Sequence, residues 1–184
     1  MSRFDRRRFL ETAAAGSALA ALPSIALSQQ HAVDTLRIVT GFTPGGTSDT
    51  LCRRVAEALN GSYARSAVVE NKAGAGGQIA IDLMRSAPAD GSTIVQTPAS
   101  MLMIYPHIYS KLPYDPFTDV TPISLACTFE FGFAVGPMVP ASVKSMQDFF
   151  AWCKANPTQA NFGSPAAGSV PHFLGVLAGR AGGV

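Results

Sequence analysis

Charge is scarce in this chain, and what there is does not cluster. Only 14% of the 184 residues are Asp, Glu, Lys or Arg, and the formal net charge is +2. Even that excess is local: four arginines and two acids lie at or before Ser28, so the remaining 156 positions carry ten basic and ten acidic residues. Without a Lys/Arg cluster in that larger part, neither a nucleic-acid backbone nor an anionic lipid surface is a fitting partner. Small molecules and proteins remain. Cysteine is also sparse, since Cys52, Cys127 and Cys153 make no C-x-x-C pair, which argues against zinc or a redox couple and for buried free thiols. No second His or Cys stands at ligand spacing from His172, so a metal site is not expected. Ser164 and Ser169 lack the G-x-S-x-G setting of a nucleophile, and with His31 and His107 isolated no catalytic triad can be named. No cofactor motif is complete: Gly74-x-Gly76-x-x-Ile79 lacks the third small residue of a dinucleotide loop.

The apolar run from Thr12 to Leu27 is too short and too rich in Ala and Gly to cross a bilayer. It follows Arg6-Arg7-Arg8-Phe9-Leu10 and ends in small residues at Ala26 and Ser28, the pattern of a cleaved export signal of the twin-arginine class. Residues 1–28 are therefore read as a signal peptide, and the protein is expected in the periplasm, not itself a membrane protein once the signal is cleaved.

Beyond the signal, strands and helices alternate, which predicts an α/β fold with a mostly parallel sheet and helices on both faces. Leu36-Arg37-Ile38-Val39-Thr40 has the β-branched content of a buried strand. Leu51, Val55, Ala58 and Leu59 recur afterwards at helical spacing. Between them lies Gly41-Phe42-Thr43-Pro44-Gly45-Gly46-Thr47-Ser48-Asp49, with Ser48 or Thr47 placed to cap the helix and Asn60-Gly61 to end it. Asp49 reads as a cap or loop brace. A second strand, Ala67 to Asn71, enters Ala73-Gly74-Ala75-Gly76-Gly77 and a helix with Ile79, Leu83 and Met84 toward the core. A third, Thr93 to Gln96, leads to a helix opening at Thr97-Pro98-Ala99-Ser100. Past the proline-punctuated turn Leu112 to Pro116, Ile123 to Ala126 and Phe131 to Val135 read as strands. Ser145 starts a helix carrying Phe149, Trp152 and Cys153, with the two aromatic rings in the core. Asn161-Phe162-Gly163 reads as a short strand entering the loop from Ser164 to His172, with Pro171 well placed near a helix start. The restart of composition divides the chain into a first lobe, residues 29–125, and a second, residues 126–184.

Three joints of one kind, a strand running through small residues into a helix start, offer uncovered amides and positive helix ends to a common cleft. Such a site suits a small carboxylate. Hydrogen bonds to a charged group contribute about 1.5–3 kcal/mol each, and a helix terminus adds about 0.3–1 kcal/mol. Three or four such bonds, less the cost of association, reach the roughly −8 kcal/mol of micromolar binding.

The residues from Ile38 to Phe42 with Pro44 to Asp49, Val69 to Gly77, Ala87-Pro88-Ala89-Asp90-Gly91, Lys111 to Pro116 and Ser164 to His172 stand in an order and spacing that resembles the Bug-type receptors of tripartite tricarboxylate transporters. The resemblance implies a type II periplasmic binding fold of two lobes that captures a carboxylate-bearing solute without catalysis and presents it to membrane permease subunits. Carried onto this chain, the ligand-holding roles fall on Phe42, Gly45, Gly46, Ser48 and Asp49, and in the second lobe on Ser164, Gly168, Ser169 and His172. Ala75, Gly76, Ala99 and Ser100 are further cleft residues. Ser92 stands where the family has an aromatic, and Ala166 where it has a glycine. Family members continue for over a hundred residues beyond Val184, so the resemblance also implies a C-terminally truncated chain whose second lobe is incomplete. Two other functions use the same features: an exported α/β enzyme acting on acidic substrates, and a ligand-sensing module for a signalling partner.

Overall fold

The computed structural model describes residues 31–184; the expected signal peptide lies outside the described residues. Three parallel strands form the sheet: β1 (Val33–Thr40), β2 (Ala64–Asn71) and β3 (Thr93–Gln96), in the order β2-β1-β3. Ile38 pairs with Val69 on one side and Ile94 on the other. Helix α1 (Thr47–Leu59) connects β1 to β2, and α2 (Gln78–Met84) connects β2 to β3. Two short helices follow, α3 (Ala99–Met103) and α4 (Tyr105–Ile108), then α5 (Met146–Ala155) and α6 (Val170–Gly182).

Alternation along the strands assigns the helices to opposite faces. Leu36 and Ile38 of β1, with Ala67, Val69 and Ile94, pack on Cys52, Val55 and Ala56 of α1. Val95, one residue along β3, turns to the other face and joins Ile81 of α2 with Met101, Tyr105 and Tyr114. The Tyr114 hydroxyl donates to the Met101 carbonyl at 2.7 Å, so the proline-rich turn is tied into this second core. The phase of α2 differs from the sequence expectation. Ile81 and Ala80 are buried while Ile79 is 48% exposed, because the left-handed Gly76 and Gly77 (φ 64° and 94°) reset the direction in which the helix begins.

The expected strands at Ile123 to Ala126, Phe131 to Val135 and Asn161 to Gly163 do not form among the described residues. Residues 121–136 run without sheet partners, and Ile123, Leu125, Phe129, Phe131, Phe133 and Val135 are all exposed. Their every-second-residue pattern is that of a strand with one apolar face, but a strand exists only when its backbone groups find a partner ladder. Helix α5 begins as expected: Ser145 Oγ accepts from the Asp148 amide at 3.1 Å and Asp148 Oδ2 accepts from the Ser145 amide at 3.1 Å, a complete capping box. Of its apolar residues only Cys153 is fully buried; Phe149 and Trp152 are half-buried, short of the core position expected. Cys52 is buried as expected, whereas Cys127 lies exposed on the unpaired segment.

Candidate functional site

Parallel strands deliver their carboxyl ends to one edge, so the loops after β1, β2 and β3 leave the sheet side by side. In the order β2-β1-β3, α1 returns along one face and α2 along the other. The chain therefore parts between β1 and β3, the place where open α/β sheets leave a crevice. The small residues of the sequence reading lie in those loops.

The first loop meets α1 at Gly46, which is its N-cap; neither Thr47 nor Ser48 caps it, contrary to expectation, and no side chain does. The first intrahelical bond is Thr50 N–H to Gly46 O at 3.0 Å, so the amides of the first turn have no partner inside the helix. Asp49, 3% exposed, lies beneath. Its carboxylate accepts from the Gly45 amide at 3.0 Å, from Arg53 Nε and Nη2 at 2.9 and 3.1 Å, and from Asn71 Nδ2 at 3.0 Å. Asn71 Nδ2 also donates to the Phe42 carbonyl at 3.0 Å. One carboxylate thus ties the loop to its own helix and to the end of β2, as a brace would. The Gly45 amide is spent inside this brace, and the unpaired amides are those further on.

The Arg53 guanidinium, then the Gly45 amide and the Asn71 side chain hold the Asp49 carboxyl at about 2, below its ordinary 3.8. A lowered carboxyl pKa stabilises the fold above the unfolded value and loses that contribution as pH falls through the folded one. Asp49→Asn is accordingly expected to be less stable than the parent at pH 7. The gap should close between about pH 4 and pH 2, as paired urea melts across that range will measure. Beneath Asp49, burial first and the neighbouring carboxylate second push the Cys52 thiol up to about 11, which makes it inert packing.

The second loop, residues 72–77, is anchored where Lys72 N–H donates to Thr40 O at 2.8 Å. Gly74, Ala75, Gly76 and Gly77 all have positive φ. For Ala75, at φ 48°, that conformation costs about 1–2 kcal/mol. Backbone strain of this kind persists where the surroundings enforce it and concentrates at functional loops. Gly77 packs against Phe42 and against the Met101 side chain of α3. Ala99 and Ser100 begin that same helix, Ala99 exposed and Ser100 buried.

The loop before α6 folds on itself. Ser169 Oγ donates to Ala166 O at 2.6 Å and Ser164 Oγ donates to the same carbonyl at 3.2 Å. His172 Nδ1 accepts from the Gly168 amide at 3.2 Å, which places the ring proton on Nε2, and the ring stacks on Phe162 with centroids 5.9 Å apart. Both serine hydroxyls are thus engaged with a carbonyl rather than with a base. This loop also reaches the second one: a side-chain carbon added at Gly76 would lie 3.3 Å from Ala166 Cβ and 2.9 Å from the Tyr105 hydroxyl.

The structure therefore brings Phe42, Gly45 and Asp49 together through Asn71, and Gly76 and Gly168 together on Tyr105. Ser48 and Gly46 flank the open helix end, while Ser164 bonds within its own loop. Sequence reasoning did not single out Arg53, Asn71, Tyr105 or Tyr109. Asn71, a polar residue closing an apolar strand, was the visible signal for one of them. An open groove runs along α1 and β2, lined by Glu57, Asn60 and Val68 among others and bounded by Arg53, the partner of Asp49.

Residues 51–182 match the family model described as tripartite tricarboxylate transporter family receptor. A UPF0065 protein in the gbd 5' region of Cupriavidus necator is 32% identical over 171 residues, covering 92% of this chain and 51% of the relative. Protein BugT of Bordetella pertussis is 31% identical over 140 residues, covering 76% of this chain and 42% of the relative. Among solved structures, one described as a periplasmic transporter superposes with a TM-score of 0.65 at 30% identity, covering 89% of this chain and 51% of that chain. R. palustris Rpa4515 with adipate gives 0.64 at 27% identity, covering 83% and 50%. The chain spans about half the length of the curated relatives it matches.

Proposed function

Because this chain belongs to the tripartite tricarboxylate transporter receptor family, we propose that it acts as a periplasmic solute-binding receptor. It captures a small carboxylate-bearing metabolite and presents it to the permease subunits of such a transporter. The observation that carries this reading is the set of glycine loops at the carboxyl edge of the sheet, with the open first turn of α1 between β1 and the brace at Asp49. An anion there meets backbone donors and the positive end of a helix dipole, a combination that needs no basic side chain.

Binding without catalysis fits the same geometry. The hydroxyls of Ser164 and Ser169 donate to a carbonyl, and the Nδ1 of His172 is occupied by a backbone amide, so these three residues form no nucleophile–base pair. The reading places the protein outside the inner membrane, exported by the signal expected in residues 1–28.

Thermal unfolding of the chain against mono-, di- and tricarboxylates, with adipate among them and inorganic phosphate and a nucleotide as controls, tests the proposal. A ligand present at about a hundredfold its Kd stabilises by about 2.7 kcal/mol, which is about 5–10 °C for a domain of this size. Such a shift with at least one carboxylate is expected. Stabilisation by phosphate or nucleotide and by no carboxylate would contradict it.

A further inference from the structure

The loop that precedes α6 is seated on α4, and the seat is made by residues that neither the sequence motifs nor the proposed anion contacts include. Tyr105, 1% exposed, stands between two loops: its hydroxyl donates to Gly76 O at 3.4 Å, and its ring edge faces Gly168. Tyr109 packs against it with centroids 4.9 Å apart at an angle of 60°. The Tyr109 hydroxyl donates to Ala167 O at 3.1 Å, a contact across 58 residues of sequence. The Ile108 side chain lies directly over Gly168, in the space that any side chain at that position would need, with the edges of both tyrosine rings beside it. Gly168 itself has φ 75°, so both its conformation and its lack of a Cβ belong to this contact.

From this we infer that Tyr109 is a positioning residue: its hydroxyl latches residues 164–169 onto α4 and thereby sets the distance between the two glycine loops. The inference rests on the proposed receptor reading for its functional meaning, but the latch is a property of the free protein. Of the seat's two hydroxyls, that of Tyr109 is the more accessible and closes the better hydrogen bond. It is therefore the part able to open without disrupting the buried Tyr105. Release of Ala167 frees the loop to swing on its own internal bonds, which Ser164, Ser169 and His172 maintain.

Hydrogen exchange of the full chain without any ligand decides the matter. Tyr109→Phe removes one oxygen and leaves the ring stack, so exchange of the amides in residues 164–172 should rise about 2- to 12-fold, the factor one hydrogen bond of ordinary net strength supplies, with β1 to β3 unchanged. Gly168→Ala attacks the seat from the other side and should raise exchange in the same residues. The adipate dissociation rate gives the coupled readout, with faster release from Tyr109→Phe than from the parent. Unchanged exchange in residues 164–172 of Tyr109→Phe would overturn the latch, as would a rise spread equally over the sheet. Failure of the parent to bind adipate or any other carboxylate counts against the receptor reading alone, since the exchange result stands without ligand.

Discussion

Alanine at Gly41 is expected to destabilise the protein by about 1–3 kcal/mol and to lower its melting temperature by about 2–12 °C. The reason is a backbone approach. Gly41 leaves β1 where the second loop crosses it, and a methyl group there would sit 2.5 Å from Gly77 Cα and 2.7 Å from Gly77 O. Those neighbours are main-chain atoms, so relief requires the loop to move. That loop is pinned at Lys72 to the Thr40 carbonyl and packed at Gly77 on Phe42 and Met101. The displacement therefore reaches the candidate site as well as the fold. Thermal and urea melts of Gly41→Ala beside the parent provide the measurement. A variant with unchanged stability would mean that the exits of β1 and β2 do not meet as described.

Tyr105→Ala carries the larger expected effect, about 3–5 kcal/mol, the range for removing a buried aromatic. Against a total stability of about 5–15 kcal/mol, this is enough to leave a substantial unfolded fraction. The ring is 1% exposed and belongs to the core formed by Ile81, Met101 and Tyr114. It is also the wall shared by Gly76 and Gly168. Tyr105→Phe should recover most of the loss, because the ring fills the same volume and its hydroxyl bond to Gly76 O is long at 3.4 Å. Urea denaturation of the pair separates the two contributions. A Phe variant as unstable as the Ala variant would show that the hydroxyl, and not the packing, holds the loops together.

The first half of the fold was legible because its signals are local. Leu36 to Thr40 and Thr93 to Gln96 are apolar and β-branched between turn residues, and the helix after Gly46 repeats its apolar positions at 3–4 residue spacing. With the observed strand order β2-β1-β3, right-handed parallel crossovers then place α1 and α2 on opposite faces. Where local pattern was insufficient, a tertiary condition decided. Phe131 to Val135 has strand periodicity, but a strand also needs a neighbour, and residues 121–136 find none among the described residues. Ile79 is expected in the core as an apolar residue of that helix, but the helix starts at Gln78 after the left-handed Gly77 and turns Ala80 and Ile81 inward instead.

Of the candidate site, the loops were visible in the sequence and their internal wiring was not. Glycine spacing marks where backbone amides are uncovered. It does not reveal that the Gly45 amide is consumed by Asp49, or that Ser164 and Ser169 both donate to the Ala166 carbonyl. Those bonds depend on which way a side chain turns after the loop has folded. Tyr105 and Tyr109 escaped for a related reason: their partners Gly76 and Ala167 lie 29 and 58 residues away, beyond any periodic pattern.

The central claim is that a carboxylate is held by backbone amides at the carboxyl edge of the sheet. Amide chemical shifts followed by two-dimensional NMR during titration with adipate, or with whichever carboxylate stabilises the chain most, test it directly. The account predicts that the shifting amides are those of Gly46 to Asp49 with Ala75 and Gly76, since the amides of Gly77, Gly168 and Ser169 already donate within their own loops. Shifts confined to the groove along β2, at Glu57, Asn60, Ala67 and Val68, would contradict it.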